Sequence, residues 1–166
     1  MRFLHWLAIA VLAIVVLLFL AGLVARLSDG PIGPFPGGPL VAGELVTDPN
    51  VDWSFARDIR EIEFQLVQPP RSRTTWVVVH GGSLYIPCGF LDMPLWKQWP
   101  HEALEDGRAV LRIDGKRYER LVVRMSDPGS HAVISGLVAE KYGLGGGEPA
   151  GPDDLWIFRI DSRPAS

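Results

Sequence analysis

Two separate stretches of the sequence carry side chains of the types that bind anions. Arg71, Arg73 and Thr74 lie in the first stretch, and Lys97 lies in the second. Guanidinium groups bind phosphate oxygens through paired, charge-assisted hydrogen bonds, and ammonium and hydroxyl groups add further donors. Arg71, Arg73 and Lys97 could therefore line an anion site. The alternative is that they are solvated charges on turns, which is the commoner role of such residue types.

The other reactive residue types give weaker signals. Cys88 is the single cysteine, which excludes an internal disulfide and a thiolate-rich zinc site. A reactive thiol would need a nearby cation or base to lower its pKa, and no neighbour in the sequence supplies one. We therefore predict a buried, inert thiol. His80 ends a predicted strand with no acidic residue at ligand spacing, and no metal site is predicted.

Tryptophan is the remaining residue type with a possible cofactor role. A large aromatic ring either stacks on a planar cofactor or fills a protein interior, and the second role is the commoner one. Both interpretations stay open for four residues: Trp76, Trp96, Trp99 and Trp156.

The amino-terminal end of the chain has a different composition from the rest. No residue from Trp6 to Ala25 is charged, and twenty helical residues extend about 30 Å, the thickness of a hydrocarbon core. A cleaved signal peptide would have a shorter apolar centre and a small residue where Leu23 stands. Residues 1–27 are therefore predicted to be an uncleaved, single-span anchor in membrane lipid. Because Arg2 precedes the span, whereas Asp29 offsets Arg26 after it, the domain is expected on the exported side, periplasmic or extracellular.

Residues 28–43 are predicted to be a linker. Glycine and proline occupy nine of these sixteen positions, a composition that disfavours both helix and central strand. We interpret the segment as a tether, with a proline-rich recognition peptide as the alternative. The chain carries a net charge of −3, which excludes a nucleic-acid-binding protein that works through bulk positive charge.

Residues 44–166 are predicted to form one mainly β domain, a barrel with two or so helices. Strict alternation over Arg60–Val67 is typical of a half-buried strand. Gly81-Gly82 and Asp114-Gly115 predict hairpin turns, and helices are expected after Gln98 and after Asp127. Further predictions are a strand or turn around Gly43–Val46, one strand over Thr74–Val79 and a last strand over Leu155–Ile160. The residues predicted to face the barrel interior are Ile62, Phe64, Leu66, Val77, Val79, Leu111 and Ile113.

Three stretches of this domain resemble the pyridoxamine-phosphate-oxidase-like split barrels, which include flavin and deazaflavin reductases. They are the run from Arg71 to Tyr85, the Leu95–Trp99 run with the following hairpin, and Glu140–Gly143 with the last strand. The resemblance implies a split barrel, a homodimer, and an FMN or deazaflavin cofactor whose phosphate binds at Arg71, Arg73, Thr74 and Lys97. A membrane-tethered oxidoreductase is the function that it implies. The alternative is a barrel without a cofactor, a non-catalytic accessory or interaction domain held at the membrane.

Overall fold

The computed structural model describes residues 2–89, 91, 97–144 and 150–163. Within these ranges, a long amino-terminal helix precedes a mainly antiparallel sheet with two shorter helices. A single 3-10 turn covers Trp53–Ala56. The helices are α1 (Arg2–Leu27), α2 (Trp99–Glu105) and α3 (Pro128–Tyr142), and the strands are β1 (Glu44–Val46), β2 (Glu61–Leu66), β3 (Ser72–Trp76), β4 (Val78–His80), β5 (Ser83–Gly89), β6 (Arg108–Ile113), β7 (Lys116–Arg124) and β8 (Leu155–Ser162).

Hydrogen bonds join the strands in the order β3-β2-β6-β7-β8-β5-β4, and each of these neighbouring pairs is antiparallel. β1 lies off this path and pairs in parallel with the first part of β7, Lys116–Tyr118. β8 pairs with the later part of β7, Arg120–Arg124. The edge of β7 that faces away from β6 therefore changes its partner strand from β1 to β8 between Tyr118 and Arg120.

Val77 joins the two ends of the sheet. β3 stops at Trp76 and β4 starts at Val78, although these strands lie at opposite ends of the hydrogen-bonded order. One residue extends at most about 3.5 Å, so the two edges must meet at this corner and the sheet curls into a barrel. The prediction of a single strand over Thr74–Val79 is wrong, because the run is divided at Val77 between the two edges of the barrel.

Two glycine-containing turns form the hairpins that the sequence predicts. Asp114 and Gly115 have positive φ angles of 49° and 74°, as a two-residue turn between twisted strands requires. They join β6 to β7. Gly81 and Gly82 have φ angles of 56° and 77° and join β4 to β5. Both predicted hairpin turns are confirmed.

The barrel interior forms the main hydrophobic core. The predicted interior residues are buried, except that Val79 is half-buried against the same core. Phe64 has an exposed fraction of 0 %, and its ring lies edge-on to Trp99 with 5.0 Å between the ring centroids. Trp99 also packs against Phe158, at 5.1 Å. The alternation along β2 therefore predicted correctly which side chains fill the barrel.

Both shorter helices begin and end where the sequence indicates. Pro100 lies in the first turn of α2, where its missing N–H leaves no helical hydrogen bond unmade. The Asp127 carboxylate accepts a hydrogen bond from the amide of Ser130 and caps α3. Gly143 ends α3 in the left-handed conformation, with a φ angle of 65°.

Residues 28–43, predicted to be a tether, fold against the barrel. The carboxylate of Asp29 accepts hydrogen bonds from the amides of Val41 (2.8 Å) and Ala42 (3.2 Å). The same carboxylate forms an ion pair with Arg112 on β6, at 2.8 Å. This network fixes the beginning and the end of the segment to one strand of the barrel.

The middle of this segment docks onto β2 and β3. Gly37 and Ser72 exchange backbone hydrogen bonds of 2.9 and 3.2 Å. The buried Leu40 donates its amide to the side chain of Gln65. A Cβ atom on Gly37 would overlap the carbonyl oxygen of Gly30. The glycines therefore permit close backbone contact, which is why a composition that favours flexibility forms an ordered segment here.

Helix α1 is apolar along its length. The most apolar 18-residue window of Phe3–Leu27 has a mean hydropathy of 3.2 and is 0 % buried within the protein. By length and composition this helix is able to cross a membrane. Its last turn contacts the folded segment, since Ala25 has an exposed fraction of 1 % and accepts a hydrogen bond from the amide of Ser28.

Candidate functional site

The candidate site lies where the barrel is open between β3 and β5. β4 pairs with β5 only over Ser83–Tyr85, whereas β8 pairs with it over Tyr85–Gly89. Among the described strands, no ladder joins β3 to the part of β5 beyond Tyr85. Pro87 lies in this part, and proline suits an open edge because it has no N–H group to leave unpaired. Two cavities lie along this opening, both lined by residues of β3 and β5.

The first cavity, the basic cavity, has a volume of about 630 Å³. All four residues proposed from the sequence as anion ligands contribute to its lining. Residues from α1, from the segment at 34–36, from β5 and from α2 complete it. Its lining residues are Arg26, Pro34, Phe35, Pro36, Arg71, Arg73, Thr74, Thr75, Pro87, Cys88, Lys97, Gln98, Trp99 and Glu102.

Positive charge is concentrated in the basic cavity. Among the described residues, its lining includes four cationic side chains, Arg26, Arg71, Arg73 and Lys97, against one acidic side chain, Glu102. The whole chain, in contrast, has a net charge of −3. Within the described part of the chain, Arg71 and Arg73 form no ion pair with a carboxylate. The arrangement therefore favours an anion in this cavity.

Arg73 is the most desolvated of these cations. Burial lowers the pKa of its guanidinium, an effect that the charges of Glu102 and Cys88 oppose. The Nε atom of Arg73 is buried and has no hydrogen-bond partner among the described residues. Its guanidinium carbon lies 6.0 Å from the ring centroid of Trp99, which packs along one side of it. A buried guanidinium nitrogen without a partner favours the binding of a hydrogen-bond acceptor.

Lys97 and Cys88 come together in the same cavity. The Nζ atom of Lys97 donates a hydrogen bond to the carbonyl oxygen of Gly89 at 2.8 Å and lies 4.0 Å from the sulfur of Cys88. Burial raises the pKa of the Cys88 thiol, and the charges of Lys97 and Arg73 offset only part of this rise. The prediction that Cys88 is buried is confirmed. Sequence reasoning missed the neighbouring cations because Arg73 and Lys97 are fifteen and nine residues away from Cys88 along the chain.

The second cavity, the apolar cavity, adjoins the first along β3 and β5. It has a volume of about 370 Å³ and shares Thr74, Thr75, Pro87 and Lys97 with the basic cavity. The residues that line only the apolar cavity are Trp76, Gly89, Val138, Leu144 and Leu155. A continuous opening in the barrel thus has a basic half and an apolar half.

The tryptophans have different positions around this opening. Trp99 is buried in the core and lines the basic cavity. Trp76 lines the apolar cavity and stacks on Tyr142, with 4.2 Å between ring centroids and 6° between the planes. Trp156 packs against the barrel core. Trp96 lies outside the described residues.

Comparisons with known proteins identify the fold. No protein-family model matches the chain, and no curated protein matches it either. The structure resembles that of a Listeria innocua protein named for pyridoxamine 5′-phosphate oxidase, with a TM-score of 0.50 and 16 % sequence identity. The alignment covers 63 % of this chain and 84 % of that one. This chain has the split-barrel fold.

A second solved structure, of a protein named F420 reductase, also aligns with this chain. Its TM-score is 0.45 at 11 % identity, over 70 % of this chain and 96 % of that one. The strand order and the resemblance to the Listeria innocua structure confirm the fold predicted from the sequence, both in its mainly β composition and in its split-barrel class. The roles of the four anion-site residues remain predictions.

Proposed function

We propose that the open side of the split barrel binds a flavin-type cofactor, FMN or a deazaflavin, and that the protein is an oxidoreductase. The observation that carries the proposal is the concentration of four cationic side chains around one cavity in an otherwise acidic chain. A phosphate bound there would accept hydrogen bonds from Arg71, Arg73 and Lys97, and from the hydroxyl of Thr74.

The residues around the opening fit both the phosphate of such a cofactor and its planar ring system. The buried Nε atom of Arg73 supplies a donor without a partner among the described residues, and a phosphate oxygen is a matching acceptor. The adjoining apolar cavity, beside the Trp76 ring, suits a planar ring system. Each cavity has a volume within the range of small-molecule sites, about 300–1,000 Å³.

A bound flavin or deazaflavin would supply the hydride-transfer or electron-transfer chemistry itself. In this proposal the protein binds and orients the cofactor. Arg71 and Arg73 hold the phosphate, while Lys97 joins the two cavities through its position on both linings. The buried core beneath the opening, which includes Phe64 and Phe158, excludes water from the inner side of the site.

We also propose that α1 tethers the split barrel to a membrane. The length and hydropathy of Phe3–Leu27 support this placement. Arg2 and the amino terminus precede the span, whereas Asp29 offsets Arg26 after it. The resulting charge bias favours a cytoplasmic amino terminus and a barrel on the exported side.

The test of cofactor binding uses the full-length protein in detergent, titrated with FMN and separately with a deazaflavin while fluorescence is followed. We expect saturable binding of at least one of them. Replacement of Arg73 by Gln should weaken binding about tenfold or more, because it removes charge-assisted hydrogen bonds worth about 1.5–3 kcal/mol each. High salt should weaken binding as well.

The matched control is Arg159→Gln. Arg159 is exposed on β8, where it pairs with Asp161 at 2.7 Å, and it lines neither cavity. This variant should bind the cofactor with unchanged affinity. If neither cofactor binds saturably, the proposal is wrong. The protein would then be better explained as a non-catalytic, membrane-anchored barrel.

A further inference from the structure

A third cavity lies between α1 and the barrel. This groove has a volume of about 420 Å³. One of its walls is the last third of α1, and the other is the folded segment at 36–37 with the start of β3. Its lining residues are Leu18, Phe19, Gly22, Leu23, Arg26, Pro36, Gly37 and Arg71.

The two ends of the groove differ in chemistry. Leu18, Phe19 and Leu23 form an apolar end on α1, whereas Arg26 and Arg71 form a cationic end. Arg26, Pro36 and Arg71 also line the basic cavity. The cationic end of the groove therefore opens towards the candidate cofactor site.

Contacts at the end of α1 hold the two walls together. Ala25 is buried and accepts a hydrogen bond from the amide of Ser28 at 3.0 Å. The carbonyl oxygen of Ser28 in turn accepts a hydrogen bond from the amide of Gly38, also at 3.0 Å. Gly37 pairs with Ser72 at the start of β3. These links connect the helix to the barrel through a short chain of backbone hydrogen bonds.

The length of α1 fixes the depth of the groove in a bilayer. Its 26 residues extend about 39 Å, which exceeds the hydrocarbon thickness of about 30 Å by roughly six residues. With the uncharged run Trp6–Ala25 as the span, the hydrocarbon ends close to Ala25. Arg26 then lies at the level of the lipid headgroups, and Leu18 and Phe19 lie among the acyl chains.

We propose that this groove binds one acidic membrane phospholipid. The headgroup phosphate pairs with Arg26 and Arg71, and one acyl chain lies along Leu18, Phe19 and Leu23. The cationic end of the groove lies at the depth of the lipid headgroups and complements the charge of the phosphate. The apolar end lies at the depth of the acyl chains and matches their chemistry. The inference depends on the membrane placement in the proposed function, but it does not depend on the cofactor.

The experiment uses the full-length protein in phosphatidylcholine vesicles that contain a trace of spin-labelled lipid. Motionally restricted label is measured by electron paramagnetic resonance for phosphatidylglycerol and for phosphatidylcholine. We expect about one restricted phosphatidylglycerol per chain, with an affinity several-fold above that of phosphatidylcholine. The double variant R26Q/R71Q should lose this preference.

Two controls separate a specific site from general charge attraction. Arg2→Gln removes a cationic residue from the other end of α1, and Arg159→Gln removes an exposed one from β8; both variants should keep the preference for phosphatidylglycerol. Equal restriction of the two lipids by the unmodified protein would overturn the inference. An equal loss of preference in Arg2→Gln would also overturn it, because only general attraction explains that result.

The failure of this inference is distinguishable from the failure of the proposed function. Carbonate extraction of the same vesicles reports whether the chain is inserted in the membrane, and flavin titration reports whether the cofactor site exists. Protein that resists extraction and binds flavin, but shows no lipid preference, would overturn only the lipid site. Protein that carbonate removes from the vesicles would overturn the membrane tether and the lipid site together.

Discussion

The Tyr142 hydroxyl bonds to the backbone of Val77, the residue at which the barrel passes from one edge to the other. Its oxygen accepts a hydrogen bond from the Val77 amide at 2.9 Å and lies 2.8 Å from the Val77 carbonyl oxygen. The carbonyl oxygen of Arg60 is a second acceptor for the hydroxyl proton. Val77 belongs to neither β3 nor β4. Tyr142, the last residue of α3, therefore supplies the backbone of Val77 with hydrogen bonds that no strand ladder provides.

The first prediction concerns this contact. Replacement of Tyr142 by Phe keeps the ring stacked on Trp76 but removes the hydroxyl. The buried Val77 amide then loses its partner, which should lower the free energy of unfolding by about 1–3 kcal/mol. Urea denaturation of the full-length protein in detergent, followed by tryptophan fluorescence, measures this change.

The matched control is Tyr118→Phe. Tyr118 is buried, but its packing is mainly aromatic, with Trp53 at 5.1 Å and Phe55 at 6.4 Å between ring centroids. Loss of that hydroxyl should change the free energy of unfolding by less than about 1 kcal/mol. If the two variants are equally stable, the Val77 contact does not stabilise the corner.

The sequence predicted the parts of this fold that depend on local pattern. Alternation along β2 identified Phe64 as a core residue, and Asp114-Gly115 located a hairpin. The break at Val77 could not be predicted, because an uninterrupted β-branched run gives no local sign that the strand changes its partner. The hydrogen bonds of Val77 at this break come from Tyr142, which lies on a helix distant in sequence.

The candidate site was predictable only in part for the same physical reason. Residue types and the family resemblance pointed to Arg71, Arg73 and Lys97, all of which line the basic cavity. Arg26 was assigned only to the end of the membrane span. It reaches the cavity because residues 28–43 fold back on the barrel, an arrangement determined by contacts such as that of Asp29 with Arg112. Glycine and proline content alone carries no information on those contacts.

The second prediction tests the core of the barrel. Phe64 has an exposed fraction of 0 % and packs against Trp99. Replacement by Ala should lower the free energy of unfolding by about 3–5 kcal/mol, because it removes buried apolar surface and leaves a cavity. The same replacement at Phe55, which is 46 % exposed, should cost about 1 kcal/mol or less. Similar losses at both positions would contradict the assignment of Phe64 to the core.

The third prediction concerns the folded segment at residues 28–43. A Cβ atom at Gly37 would overlap the carbonyl oxygen of Gly30 and approach the Ser72 side chain. Gly37→Ala should therefore release the segment from β3 and speed hydrogen exchange at the amides of Val41 and Leu40. Mass spectrometry of peptides from the exchanged protein measures the rates.

The control for this change is Gly136→Ala. Gly136 lies inside α3, and a Cβ atom there would meet no atom within 4 Å. Alanine is the better helix former by about 1 kcal/mol, so exchange in residues 28–43 should stay as slow as in the unmodified protein. Unchanged exchange in Gly37→Ala as well would mean that the segment does not depend on the close contact.

The last prediction is a pH dependence. Burial raises the pKa of the Cys88 thiol above its ordinary value, despite the opposing charges of Lys97 and Arg73. The folded state therefore holds the thiol proton more tightly than the unfolded state does. The resulting stabilisation is fully present below the unfolded pKa, about 8.5, and it is lost as the pH rises towards the folded pKa.

Replacement of Cys88 by Ala removes this contribution. The free energy of unfolding should therefore fall less steeply above about pH 8.5 in Cys88→Ala than in the unmodified protein, by up to about 1.4 kcal/mol per pH unit. Other groups with raised pKa values, such as Tyr118 and Tyr142, titrate in both proteins and cancel in the comparison. Denaturation midpoints from pH 7 to pH 10 provide the measurement. A steeper fall in the variant would mean that Lys97 and Arg73 outweigh burial, in which case Cys88 would be a thiolate at the base of the basic cavity.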